Sequence, residues 1–240
     1  MNLAWAVGGA IAGLAAGAAL RGPVFRLSVP AGSPDQTACP RCATRLHPWF
    51  AIRCAQCRSS LGRPAVLEVA TAAVLALLLG RFGGQPEVIA FGFLGVLGVA
   101  LAAIDVAVHR LPDRLTLPAI PVTIALLAVA AVIGHDPGRL LRAVLGGLAM
   151  MAVFLVLALA RPGQLGGGDI KLAAPLGVAL GWLGWPAVLF GAALGFLLGG
   201  LAGLVLLALR RVTLRSQLAF GPFMLCGALL GTLAASGAGR

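Results

Sequence analysis

Residues 164–177 read QLGGGDIKLAAPLG, and they set a carboxylate, Asp169, and an ammonium, Lys171, at the lip of an apolar segment in a chain that otherwise avoids charge. Gly166, Gly167 and Gly168 come directly before the acid. Glycine admits backbone conformations closed to other residues and lets a second chain approach closely, so Asp169 can begin a helix with its side chain turned into the protein. The plainer alternative is an N-capping carboxylate, with Lys171 reaching to lipid headgroups. The surrounding sequence decides how much weight the acid carries.

Those surroundings are membrane. The chain has 240 residues, 60% of them hydrophobic and 10% charged, and its mean hydropathy is +1.01. A soluble domain of this length could not cover its surface with so little charge, and apolar runs at this density mean transmembrane helices. A span needs roughly 20 apolar residues. About eight segments qualify, near 3–20, 65–80, 88–105, 115–134, 141–160, 171–185, 187–209 and 217–236. The sixth is short and shares Trp182, Gly184 and Pro186 with its turn. The first lacks a basic leader and reads as a retained span rather than a cleaved signal peptide. The expected fold is all-α and integral to the membrane, with about eight transmembrane helices: a first helix at 1–20, a cytoplasmic loop at 21–64 and a membrane domain at 65–240.

The net charge of +11 is distributed by side. Connections 21–64, 105–114, 161–171 and 210–216 hold fourteen of the 18 basic residues; Arg81, Arg139, Arg142 and Arg240 are the other four. The positive-inside rule puts the first set in the cytoplasm and both termini outside, which requires an even number of spans. The same loops would be drawn to anionic lipid headgroups. No nucleic-acid motif accompanies the charge, so no nucleic-acid partner is expected.

The one long polar stretch, 21–64, carries CPRC (Cys39, Cys42) and CAQC (Cys54, Cys57) with eleven residues between the pairs. Two Cys-x-x-Cys pairs at this distance are the usual way to place four thiolates around zinc, and a small loop with almost no core gains its fold from the metal. Disulfides are the competing arrangement, but a cytoplasmic loop disfavours them. Four cysteines fill the coordination sphere, so the ion is structural and His47 is not needed as a ligand. Cys226 falls inside the last apolar run as a small packing residue.

Seven acids remain: Asp35, Glu68, Glu87, Asp105, Asp113, Asp136 and Asp169. Asp35, Glu87 and Asp136 fall in loops and read as solvated charges. The other four lie near helix ends on the cytoplasmic side, where a membrane carboxylate is a functional candidate by default. Asp105 closes a long apolar run in AAIDVAVHRLPDRLT. Asp113, after Pro112, suits the N-cap of the fourth helix. Glu68 stands one turn into the second span, open to pairing with an arginine or to a polar role near the site. His109 and Arg110 read as loop contacts. Asp105 and Asp169 are 64 residues apart, yet both fall at one boundary, on helices that can pack side by side. Two carboxylates meeting in a partly desolvated site share one proton. The ionised partner then acts as base on a water while the protonated one polarises a carbonyl.

At this point the chain resembles the type IV prepilin peptidases, the bacterial branch of the membrane aspartyl proteases bearing a Gly-x-Gly-Asp motif. The matching elements are Gly166-Gly167-Gly168-Asp169 with Ile170-Lys171-Leu172, the segment IDVAVHRLPD, and the paired-Cys loop followed by Glu68 in RPAVLEVATA. They stand in the family's order across most of the chain. The resemblance implies that 65–240 is an aspartyl peptidase domain and that Asp105 and Asp169 are its catalytic pair. Gly166, Gly168, Lys171, Asp113 and Glu68 would be supporting positions. It implies cleavage of the basic leader from prepilins and pseudopilins at the cytoplasmic face of the bacterial plasma membrane. The hydrolysis would need no cofactor. Many relatives also N-methylate the new N-terminus with S-adenosylmethionine. Here the chain departs from the pattern, because its Cys pairs are closer together than in longer members and RGPVFRLSVP (21–30) matches the usual segment only loosely. Lys171 is left between anchoring to headgroups and adjusting the acid's charge.

Two rivals come from other classes. A transporter could use Asp105 and Asp169 to relay protons or bind a cation, but such folds often show matching halves, which this sequence lacks. A non-catalytic scaffold binding a partner through the zinc loop would leave the glycine-acid motif without a task. The small-residue patterns GGAIAGLAAG and GAALGFLLGG are expected to serve close helix packing.

Overall fold

Each apolar run becomes a helix. The computed structural model describes residues 2–30, 32–47, 49–62, 65–160, 166–210 and 219–235. Arg63, Arg161, Arg211, Arg215 and Arg240, all used in the charge count, lie outside the described residues, as do Pro64, Gln164 and Leu165. Among those described, the helices are α1 (Leu3–Leu27), α2 (Val66–Phe82), α3 (Val88–Val108), α4 (Asp113–Gly134), α5 (Pro137–Ala160), α6 (Gly167–Leu183), α7 (Trp185–Ala208) and α8 (Gly221–Ala234).

Glycines decide which of them pair. Between helices in lipid there is little hydrophobic gain from association, so close backbone packing must supply it. Gly9, Gly13 and Gly17 recur every four residues along α1, and a Cβ on any of them would collide with the backbone of α2 at Leu75, Ala72 and Glu68. Gly146 and Gly147 of α5 meet Gly177 and Gly181 of α6 in the same way, and Gly191 and Gly195 of α7 meet Gly227 of α8. The two quoted small-residue patterns therefore do pack helices, as α1 on α2 and α7 on α8.

The spans are not equivalent. Among the described residues, five helices, α1, α3, α4, α5 and α7, are long and apolar enough to cross a membrane. The helices α2 and α6 have 17 residues each and α8 has 14. The short α6 is buried at every position from Leu172 to Trp182 and touches α3, α4, α5, α7 and α8. A helix apolar all round belongs inside a bundle, and α6 is the one these five surround.

The first helix runs to Leu27, beyond the expected end at residue 20, and takes Arg21 and Pro23 into its length. Tertiary contact extends it. The Arg26 guanidinium donates to the Leu46 carbonyl at 2.6 Å and lies 5.1 Å from the Trp49 ring centre, so the helix end is fastened to the cysteine loop.

At the opposite end, two of the four minority-side arginines complete α6. Arg142 donates to the carbonyls of Gly181 at 3.0 Å and Trp182 at 3.1 Å, satisfying groups that a helix C-terminus leaves free. Arg139 sits 4.5 Å from the Trp182 ring centre and 3.5 Å from Glu87. Glu87 is thus buried and ion-paired, not solvated as its loop position suggested, because its partner comes from a distant part of the chain. Asp136, by contrast, stays exposed and accepts the Arg139 backbone N–H at 3.2 Å.

Candidate active site

Asp105 lies on the last turn of α3 and is 4% exposed. The helix ends four residues later because His109 turns left-handed, with φ 51°, while its N–H still reaches the Asp105 carbonyl at 2.8 Å. The Asp105 carboxylate accepts a hydrogen bond from the Gly221 N–H at 3.0 Å. Gly221 opens α8, so this amide is one of those a helix N-terminus leaves unpaired, at the positive end of the helix dipole.

Asp169 enters from α6 and is 8% exposed. It is not the cap of that helix; Gly166 is, and Asp169 reaches back from the third helical position to accept the Gly166 N–H at 3.2 Å. This is half of a capping box, and it fixes the carboxylate's direction. The two acids meet at one seam: Leu111 packs against the Cβ positions of both Gly168, which precedes Asp169, and Gly221, whose N–H holds Asp105. Structure thus brings together the two carboxylates that the sequence singled out, each held by one backbone N–H.

Two residues of this seam were missed. A Cβ on Gly221 would stand 2.8 Å from the Asp105 Oδ2, and a Cβ on Gly168 would stand 2.7 Å from the Leu111 Cβ. Leu111, 7% exposed, also lies 3.5 Å from the Gly221 Cβ position. It is an apolar wedge between the starts of α6 and α8. The only sequence sign of Gly221 is the following Pro222, a helix-start signal. Leu111 had none, being an apolar residue in an apolar chain. The glycine run also works differently from its first reading. None of Gly166, Gly167 and Gly168 has a positive φ, so conformational licence is not what they provide. Gly168 admits Leu111, while Gly167 has nothing within 4 Å of its Cβ position.

The supporting residues form ion pairs. Asp113 is not the N-cap of α4; Pro112 is. Its carboxylate instead takes Lys171 at 2.7 Å, which ties the start of α4 to the start of α6. Arg114 next to it holds Asp35 of the cysteine loop at 2.6 Å, and Arg110 donates to the Val29 and Pro30 carbonyls at 3.2 and 2.9 Å. Glu68 pairs with Arg21 across the α1–α2 contact, both side chains 12% exposed. Breaking a buried pair of this kind typically costs about 3–5 kcal/mol, because the survivor keeps its charge without a partner.

The cysteine loop is a repeat. Ala38 bridges Arg45 and Arg53 bridges Ser60, antiparallel in both cases. Within each knuckle the first cysteine's N–H bonds to the carbonyl five residues on, Thr44 or Ser59, both at 2.9 Å. The residue after each second cysteine, Ala43 or Arg58, is left-handed, and Leu46 and Leu61 close the two knuckles in one small core. The result gathers Cys39, Cys42, Cys54 and Cys57 so that all four sulfurs lie within 4.8 Å of one another. Cys39–Cys57 and Cys42–Cys54 are each 3.6 Å apart. A tetrahedron with metal–sulfur bonds of about 2.3 Å has edges of about 3.8 Å, so the set fits a four-coordinate ion. The Ser59 hydroxyl, 3.0 Å from Cys57 and 3.5 Å from Cys39, pulls the Cys39 thiol down to about 6 and lowers that of Cys57 too. These four cysteines can bind a metal ion. His47 is not among them.

The family model described as the type IV leader peptidase family matches residues 90–208, which contain both acids. A protein of Burkholderia pseudomallei named prepilin leader peptidase/N-methyltransferase is 34% identical, over 85% of this chain and 67% of its own length. Proteins with the same name from Dickeya chrysanthemi and Pseudomonas aeruginosa are 30% and 29% identical, over 86% and 78% of this chain and 79% and 68% of their own lengths. No solved structure matches. Their similarity bears out the resemblance first seen in the glycine-acid motif and gives no support to a transporter. With its membrane-length helices and its cysteine set, the chain belongs to the type IV leader peptidase family of multi-pass membrane peptidases.

Proposed function

We propose that this peptidase is an aspartic endopeptidase that removes the basic leader from prepilins or pseudopilins at the cytoplasmic face of the plasma membrane, with Asp105 and Asp169 as its catalytic pair. One observation carries the proposal: the two acids are buried at one seam, where Leu111 packs between the starts of α6 and α8, and each is oriented by a single backbone N–H. Like charges in a desolvated site hold one proton between them. The ionised carboxylate takes a proton from water as it attacks the scissile carbonyl, and the protonated one gives its proton to that carbonyl's oxygen. Collapse of the tetrahedral diol then passes a proton to the departing amine.

The cytoplasmic placement rests on the charge bias, which favours all eight helices spanning the membrane with both termini outside. Arg139 and Arg142 do not weaken that bias, since both serve α6 locally. The metal is read as zinc, held by Cys39, Cys42, Cys54 and Cys57, where it would cross-link two knuckles that have little core of their own. The relatives' double name extends the proposal to methylation of the newly freed N-terminal amine from S-adenosylmethionine.

The test is co-expression with a prepilin, read as a mobility shift and by sequencing the product's N-terminus. A shift at the junction of leader and hydrophobic segment is expected, and its absence with every prepilin and pseudopilin tried would sink the proposal. Methyl transfer from labelled S-adenosylmethionine to the cleaved product tests the second activity separately.

A further inference from the structure

The helix start that holds Asp105 has no polar cap of its own. Phe220 is the N-cap of α8 and makes no side-chain capping bond, although that position ordinarily takes Ser, Thr, Asp or Asn. Its carbonyl accepts the first helical bonds, from the Phe223 and Met224 N–H groups at 3.1 and 3.2 Å. The next residue is Gly221, whose N–H donates to the Asp105 carboxylate at 3.0 Å. Glycine has no side chain to anchor it, so the place of that N–H depends on what holds its neighbours.

Phe220 is held by a socket of rings. Its ring centre lies 5.4 Å from that of Phe196 on α7 and 6.1 Å from that of Phe154 on α5, and these two are 5.2 Å apart. All three separations fall in the range where aromatic pairs attract. The floor of the socket is Gly199 of α7. A Cβ there would stand 2.6 Å from the Phe220 Cε2 and 3.0 Å from its Cδ2. A ring set against two others has little room to retreat from such a methyl. The adjacent Gly200 has nothing within 4 Å of its Cβ position, so at 199 it is the ring that demands glycine.

We propose that Phe220 is a positioning residue for the peptidase reaction. Its ring, seated on Gly199 against Phe154 and Phe196, sets where the Gly221 N–H stands and so the direction of the Asp105 carboxylate. The proposal rests on the peptidase reading above. Among the described residues the Gly221 N–H is the one hydrogen-bond donor to the Asp105 carboxylate, so no second bond keeps that acid in place when the start of α8 moves. Phe220 acts through Gly221, so its loss falls on the chemical step and leaves substrate binding alone.

The test uses purified enzyme in detergent and a prepilin that the wild type cleaves, at a temperature where every variant is folded by its own melting curve. Gly199→Ala puts a methyl into the socket and changes no group at the acids. Its kcat should fall about tenfold, less than the 10²-fold or so that follows from moving a reacting group itself by about 1 Å, while KM stays within about twofold. Gly200→Ala, one residue along the same helix, should change neither. Replacing Phe220 by Leu in the Gly199→Ala background vacates the space the methyl needs, and kcat should return to within about threefold of wild type. Phe220→Leu alone, which adds no atom to the socket, should lower kcat at least threefold at unchanged KM, and it carries the test if Gly199→Ala fails to reach the membrane. A ring that only packs the core would lower melting temperatures and leave kcat per folded enzyme at the wild-type value. That result, a loss confined to KM, or a double variant no better than Gly199→Ala overturns the proposal and leaves the peptidase standing. A wild-type enzyme that cleaves no prepilin overturns the peptidase reading and this one with it.

Discussion

The cysteine loop and the acid seam both bring reactive side chains together, but over very different lengths of chain. The four cysteines come from 39–57, and each knuckle is shaped by bonds within ten residues, 37–46 and 52–61. The acid seam draws Asp105 from α3, Asp169 from α6, Leu111 from the turn after α3 and Gly221 from α8, with hydrogen-bonded partners 116 positions apart. A local site depends on its own turns and on whatever ion it binds. A site assembled from helix ends depends on the fit of every helix that meets there, and should fail when any one of them shifts.

The sharpest break in this comparison is at the acids. Asp105→Asn and Asp169→Asn keep shape but cannot share or accept the proton that the proposed mechanism moves, and general acid–base chemistry is worth about 10²–10⁴-fold. Each variant should lower kcat/KM for a prepilin by about 10³-fold while membrane levels and bound metal stay at the wild-type value. Loss of metal in either would show that the two sites are not separate.

Gly221→Ala should come next. Its methyl would stand 2.8 Å from the Asp105 Oδ2, and misplacing a reacting group by about 1 Å costs on the order of 10²-fold. A fall in kcat of that size is expected, whereas Gly200→Ala on α7, with nothing within 4 Å, should match wild type. Equal activity in both variants would refute the tight approach at Gly221.

From the other side, Cys54→Ser should remove about one metal ion per chain, measured by elemental analysis, and expose the loop to limited proteolysis. Because no acid ligates the ion, prepilin cleavage should fall less than tenfold. A loss as deep as that of the acid variants would mean that the loop is part of the catalytic machinery.

The smallest effect belongs to the Asp113–Lys171 pair. Its side chains are 59% and 37% exposed, and exposed pairs are worth about 0–1 kcal/mol. Asp113→Asn should cleave within about threefold of wild type. An inactive Asp113→Asn beside an active Asp105→Asn would instead move the catalytic acid to Asp113.

Legibility followed the range of the forces involved. Apolar runs announced every helix, since twenty or so uncharged residues have few other uses. Their ends were read less well where a distant partner intervened, as when the cysteine loop carried α1 on to Leu27. Glu87 and Asp113 were misjudged for the same reason, their partners Arg139 and Lys171 being 52 and 58 residues away.

By itself, the amino-acid sequence determined that the protein is helical and membrane-bound. It also determined that four cysteines at close spacing form one set, and that Asp105 and Asp169 are the acids worth pairing. Each of these follows from composition, spacing or the cost of a charge near lipid. Only the tertiary structure decided that α6 is the buried centre, that Gly168 makes room for Leu111, and that the N-terminus of α8 holds Asp105. Those are facts about which helices touch, and contacts between helices depend on shape matched across space. An apolar chain rich in Gly, Ala and Leu does not spell out that match in one dimension.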